Sequence, residues 1–170
     1  MQVELRLPAQ AIAGEPARPV VVDTNVALDL LIFSDPRTAP LRTLLAQGRL
    51  AWIATQAMRD ELERVLAYSH IAVRMDFYRV DAVQVLAAFD AQTRLVDSEP
   101  RVSHVCKDAD DQKFIDLAAA HHAILLSKDK AVICMRKRLL SLGTHVATVL
   151  VLEGAGESSE ADRSAPHPCV

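Results

Sequence analysis

The chain has 170 residues, 51 % of them hydrophobic and 24 % charged, which excludes a disordered, collagen-like or fibrous protein and leaves apolar mass for one domain with a real core. Aromatics are only 4 %, so Leu, Val, Ile and Ala must fill that core, as suits helices on a parallel sheet better than an aromatic-rich β-sandwich. Nineteen Lys and Arg against 22 Asp and Glu give a net charge of −3, and bulk charge therefore does not advertise a nucleic-acid binder.

Residues 1–18 show no clear period and are expected to be an N-terminal extension. The core spans 19–152, and the Gly-, Ser- and Pro-containing stretch 153–170 is expected to be a disordered polar tail. Within the core, apolar runs predict strands at Pro19–Asp23, Leu50–Thr55, Thr93–Asp97, Ala123–Ser127 and His145–Leu152. Helical patterns fill the gaps at 24–33, 37–47, 56–69, 73–91, 109–122 and 130–142. Strands alternating with helices imply a parallel sheet covered on both faces. Ligands of such sheets sit beyond the carboxyl ends of the strands, so the residues just after each apolar run matter most.

Acids stand there repeatedly. Asp23 follows Val20, Val21 and Val22 directly, with Thr24 and Asn25 behind it, and fits either a helix N-cap or a functional carboxylate. Glu61 falls at the edge of the apolar face formed by Met58, Leu62, Val65 and Leu66, where it fits an exposed side chain or one reaching a cleft. Asp108 and Asp110 suit the N-cap and first turn of the next helix. Asp111 lies three, four and seven residues before Phe114, Ile115 and Ala118, so it points inward, whereas Asp116 is expected to face solvent. Asp129, after Ser127 and Lys128, fits a cap or an ion pair with Lys128 or Lys130.

Each acid has an ordinary explanation when taken singly. Together, Asp23, Glu61, Asp111 and Asp129 come from four segments that the sheet would converge. Clustered carboxylates raise one another's pKa unless a cation neutralises them. An all-oxygen site suits Mg²⁺ or Mn²⁺ rather than zinc, and metal-assisted phosphodiester hydrolysis is its natural chemistry.

The segments VVVDTNVALDLL, RDELERVL, CKDADDQKFIDLA and AILLSKD, in this order across roughly 19–152, resemble the PIN-domain nucleases, in particular bacterial toxin components of toxin–antitoxin systems. The family's four acids fall on Asp23, Glu61, Asp111 and Asp129. Lys107 stands where Arg is expected and Ser127 where Thr is usual; neither change removes an acid. The resemblance implies a three-layer α/β/α sandwich around a central parallel sheet and a metal-dependent ribonuclease acting on RNA. Asp23, Asp111 and Asp129 would then hold Mg²⁺ or Mn²⁺, and Glu61 would complete the acidic ring. Thr24, Asn25, Asp108 and Ser127 would steady carboxylates or waters around them. The partners implied are RNA, an antitoxin protein and a second copy of the chain in a homodimer.

An acidic site needs cations nearby to hold a polynucleotide backbone, and Lys107, Lys128 and Lys130 are the candidates beside the acids. Arg136, Lys137 and Arg138 fit a solvated helix face equally well. His121 and His122 lie about 15 Å along the helix from Asp111 and are expected to be packing or surface residues. Cys106, Cys134 and Cys169 form no CxxC pair, so thiolate zinc and a disulfide framework are not indicated, and reduced thiols suggest a cytoplasmic protein. No run approaches the roughly 20 apolar residues of a membrane span, and no secretory signal is visible. A competing reading is a catalytically silent PIN-fold module that binds an antitoxin-like protein or RNA. A dehalogenase-type phosphatase would want a second Asp where Asn25 stands, and a receiver domain would want paired acids near the first strand.

Overall fold

The computed structural model describes residues 2–102, 106 and 108–154. Lys107, Cys169 and the tail from 155 onward lie outside the described residues, so the expectations placed on them do too.

Chain order is β1 (Glu4–Pro8), β2 (Arg18–Val22), α1 (Thr24–Leu31), a 3₁₀ turn (Pro36–Thr38), α2 (Ala39–Ala46) and β3 (Leu50–Ala54). Then come α3 (Gln56–Leu66), α4 (Ser69–Tyr78), α5 (Ala82–Gln92) and β4 (Thr93–Leu95). A 3₁₀ turn (Ala109–Asp111), α6 (Gln112–Ala120), β5 (Ile124–Leu126), α7 (Lys130–Ile133), α8 (Arg136–Leu140), β6 (His145–Ala147) and β7 (Val149–Glu153) complete it. The central sheet has five strands in the order β4-β3-β2-β5-β6, every pairing parallel.

Successive strand residues point to opposite faces. Val20 with Val21 and Ile124 with Leu125 are all fully buried, so helices must cover the sheet on both sides. That is the three-layer α/β/α arrangement. The core is aliphatic, as the composition requires, with Trp52 packed edge-on against Phe89 at 5.2 Å.

The strand order has a direct consequence. The chain enters at the centre with β2, moves outward through β3 to β4, then returns to β5 on the other side of β2. The order reverses between β2 and β5, and a crevice opens beyond their carboxyl ends. Asp23 follows β2 and Ser127 follows β5 there, and the Asp23 N–H still donates to Leu126 O at 3.0 Å.

Several expected elements are divided. The helix expected at 73–91 is two helices, because Arg79 adopts a left-handed conformation (φ 57°) that ends α4. Asp81 then opens α5 through a reciprocal capping box with Gln84. The helix at 130–142 is α7 and α8, and the strand at 145–152 breaks at Thr148 into β6 and β7. Residues 4–8 of the N-terminal extension are a strand that pairs in parallel with β7, Glu4 opposite Val149 through Pro8 opposite Glu153. Among the described residues no helix is long and apolar enough to cross a membrane.

Candidate functional site

A cleft of about 390 Å³ lies at the switch point, lined by Asp23, Thr24, Asn25, Glu61, Arg64 and Tyr68 together with Asp108, Asp110, Asp111 and Asp129. All four acids singled out by sequence reach it, and so do Thr24, Asn25 and Asp108.

Asp23 is the most enclosed, 3 % exposed. It caps α1 by accepting from Val26 N at 2.9 Å through Oδ1, and Ser127 Oγ donates to Oδ2. Cap and cleft wall are therefore one residue. Burial pushes its carboxyl above the usual range, against the lowering effect of these two hydrogen bonds. Ser127 is fully buried and ties two acids together, since its Oγ also accepts from Asp129 N at 3.1 Å. Asp129 caps α7 through Ala131 N at 2.8 Å.

Asp108 caps the 3₁₀ turn through Asp110 N at 3.0 Å. Asp111 ends that turn and is half-buried at the start of α6. One carboxylate oxygen from each of Asp108, Asp111 and Asp129 falls within 4.8 Å of the others. Asp111 Oδ2 is buried with no hydrogen-bond partner. Burial raises the Asp111 carboxyl to about 8, helped by a hydrogen bond with Asp129 and the charges of Asp129, Asp108 and Asp23. A proton or a cation must occupy such a place. The donor set is entirely oxygen, which fits Mg²⁺ or Mn²⁺. The sequence placed Asp108 outside this cluster and Asp23 within it. The geometry groups Asp108 with Asp111 and Asp129, with Asp23 on the same cleft wall.

Glu61 differs from the others because it already has a cation. Lys113 Nζ pairs with its Oε1 at 2.7 Å and also donates to Asp110 O at 2.6 Å, while Thr24 Oγ1 donates to Oε2. Sequence reasoning missed Lys113. The available signal was its position two residues after Asp111, on the side of the helix start that faces α3.

Asp116 is a correction. It is buried rather than solvent-facing, accepting from Val102 N at 3.0 Å and from Gln112 Nε2 at 2.9 Å. Gln112 Oε1 in turn accepts from Cys106 N at 2.7 Å. Val102 and Cys106 are thus tied to α6 through Asp116 and Gln112. Burial raises the Cys106 thiol, which does not suit a nucleophile. Lys128 pairs with Asp29 rather than with Asp129, and Lys130 is exposed. His121 stands 3.6 Å from Glu99 and His122 meets Leu142 O at 3.0 Å; neither lines the cleft.

A three-layer parallel α/β protein with a cleft lined by clustered carboxylates at its switch point is the class defined by this fold and site. The chain belongs to the PIN domain family: residues 19–131, well over half of it, match the family profile. It is also 24 % identical over 120 residues to an uncharacterized protein of Methanocaldococcus jannaschii, covering 69 % of this chain and 74 % of that one. PIN domains are generally nucleases and usually use divalent metals.

Proposed function

We propose that the protein is a divalent-metal-dependent endoribonuclease that hydrolyses RNA phosphodiester bonds. The observation that carries this reading is the Asp108–Asp111–Asp129 carboxylate cluster, in which Asp111 Oδ2 is buried without a hydrogen-bond partner. Asp108, Asp111 and Asp129, with Asp23 behind them, would hold Mg²⁺ or Mn²⁺, which when bound supplies an acidified water and offsets charge on the scissile phosphate. The chain's own residues keep that arrangement in place. Ser127 fixes the spacing of Asp23 and Asp129 through two hydrogen bonds. Asp116 and Gln112, bonded to each other, accept the backbone N–H groups of Val102 and Cys106 ahead of Asp108. Thr24 and Lys113 pin Glu61 in the cleft, where it would orient the attacking water.

The motif resemblance extends the reading to a toxin of a type II toxin–antitoxin pair. An adjacent gene for a small DNA-binding protein is the expected companion; its absence removes the toxin role and leaves the nuclease. The direct test is cleavage of labelled single-stranded RNA by the purified chain with Mn²⁺, with Mg²⁺ and with EDTA. Cleavage with either metal and none with EDTA is expected. No cleavage of any RNA under any metal condition overturns the enzyme reading and favours a silent binding module.

A further inference from the structure

Helix α3 contributes more to the cleft than Glu61. Glu61, Arg64, Val65 and Tyr68 all line it, and their spacing of i, i+3, i+4 and i+7 puts them on one helical face. The Tyr68 N–H donates to Val65 O at 3.0 Å, so the helical path continues past Leu66. Tyr68 therefore stands about 10 Å along the axis from Glu61.

The charge along this face is uneven. Asp23, Glu61, Asp108, Asp110, Asp111 and Asp129 line the cleft, and among the described lining residues Arg64 is the basic one. Cations nearby are engaged elsewhere: Lys113 with Glu61, Lys128 with Asp29, Arg59 with Glu63 and Asp90. Arg64 is exposed and its side chain makes no ion pair among the described residues.

The fold does not account for Tyr68 either. It occupies the N-cap of α4, where Ser, Thr, Asp or Asn would accept a backbone N–H, and it makes no side-chain cap bond. The residue is 51 % exposed, and its ring stacks on His70 at 5.9 Å and 29°. A large aromatic is thus held at the mouth of an acidic cleft, backed by an imidazole, one turn beyond an unpaired arginine.

We infer that Arg64 and Tyr68 form the track along which single-stranded RNA crosses the cleft, Arg64 holding the phosphate next to the scissile one and Tyr68 stacking an unpaired nucleobase. This rests on the nuclease reading above. Stacking tolerates any base because every base has a π face, so the track selects unpaired strands rather than a sequence. Duplex RNA keeps its bases stacked on each other and offers none to Tyr68.

The test uses the full chain carrying Asp111→Asn, so that bound RNA is not cut. Fluorescence anisotropy then follows a labelled single-stranded RNA, and its duplex, in Mg²⁺. Added Tyr68→Ala is expected to weaken single-strand binding about tenfold while leaving the duplex and the salt dependence unchanged. Tyr68→Phe keeps the ring and restores binding. Arg64→Gln is expected to reduce the slope of log K against log salt by about 0.7, the loss of one phosphate contact. Unchanged melting temperatures check that these exposed positions leave the fold intact. In parallel, Tyr68→Ala and Arg64→Gln are placed in the otherwise wild-type chain and cleavage is followed with Mn²⁺; a raised KM with kcat retained is expected for Tyr68→Ala. If wild type cleaves RNA while both variants bind and cleave like their parents, the track is overturned and the nuclease reading stands. If wild type neither binds nor cleaves RNA, both fall.

Discussion

Asp35 and Asp111 carry the same carboxyl group and end at opposite extremes. Asp35 opens the 3₁₀ turn at the surface, where Arg37 donates through Nε at 3.1 Å and Nη2 at 2.8 Å, and its carboxyl is lowered from 3.8 to about 2. Asp111 is enclosed among like charges and raised from 3.8 to about 8. In one region the chain itself supplies the cation; in the other it withholds one. Arg59 with Asp90 and Lys128 with Asp29 repeat the first pattern. Asp35, Asp90 and Asp29 each have a cation supplied by the chain, whereas Asp111 Oδ2 is buried without a hydrogen-bond partner, and that contrast is what the proposed metal would resolve.

Removing the inward charge should have the largest effect. Asp111→Asn keeps shape while deleting an oxygen ligand, and metal-dependent RNA cleavage is expected to fall at least about a hundredfold, roughly 2.7 kcal/mol of barrier. Asp76→Asn, on the exposed side of α4, is the control and should cut like wild type. Equal rates for Asp111→Asn and wild type would show that the unpaired carboxylate is not what the reaction uses.

Next is the response to metal. Binding to the native state alone raises the melting temperature. Mn²⁺ should therefore stabilise wild type clearly and Asp111→Asn much less, and Asp23→Asn should also lose part of the shift. A calorimetric scan showing identical metal shifts in all three proteins would place the cation elsewhere.

The pH dependence separates the two regions by sign. Between 3.8 and about 8 the folded Asp111 site holds a proton that the unfolded chain has released. The stabilisation from that proton is complete below 3.8 and is lost as pH rises through about 8, so metal-free protein should melt lower at alkaline pH than at mildly acidic pH. Saturating Mn²⁺ should flatten this slope. Asp35 works the other way: its contribution is present above 3.8 and is lost as pH falls toward about 2. Arg37 is largely exposed, so solvent screens the pair and Arg37→Ala should alter only the acid limb, and only slightly. Alkaline and acid melting curves for the two variants would test the contrast.

A further destabilisation is expected at Asp116, which serves neither region directly. Asp116→Ala leaves the Val102 N–H and Gln112 Nε2 without this acceptor, and urea unfolding should show a loss of about 1–3 kcal/mol.

Asp116 also marks where sequence reasoning stopped. It does lie off the Phe114–Ile115–Ala118 face, but helical spacing speaks only of the face that meets the sheet. Val102 and Cys106 meet α6 through Asp116 and Gln112, contacts that no local periodicity announces. Asp23 and Asp129 were legible for the opposite reason: Asp23 directly follows β2 and Asp129 stands three residues past β5, and the carboxyl ends of a parallel sheet converge whatever the helices do. Lys113 was illegible because its meaning depends on Glu61, 52 residues away. β1 carried a readable signal, the alternation of Glu4, Leu5, Arg6 and Leu7, which matches its alternating exposure. It lacked only a visible partner.

That partner lies at the far end of the described chain. Val3 N–H donates to Thr148 Oγ1 across 145 positions, and β1 then runs beside β7. β1 therefore cannot dock until β7 is available, whereas the pairings of the five-stranded sheet do not depend on it. Closing so large a loop is slow, because its entropy must be met before any contact rewards it. The five-stranded sheet beside the cleft and the two-stranded β1–β7 ribbon are therefore closed by contacts of very different reach along the chain.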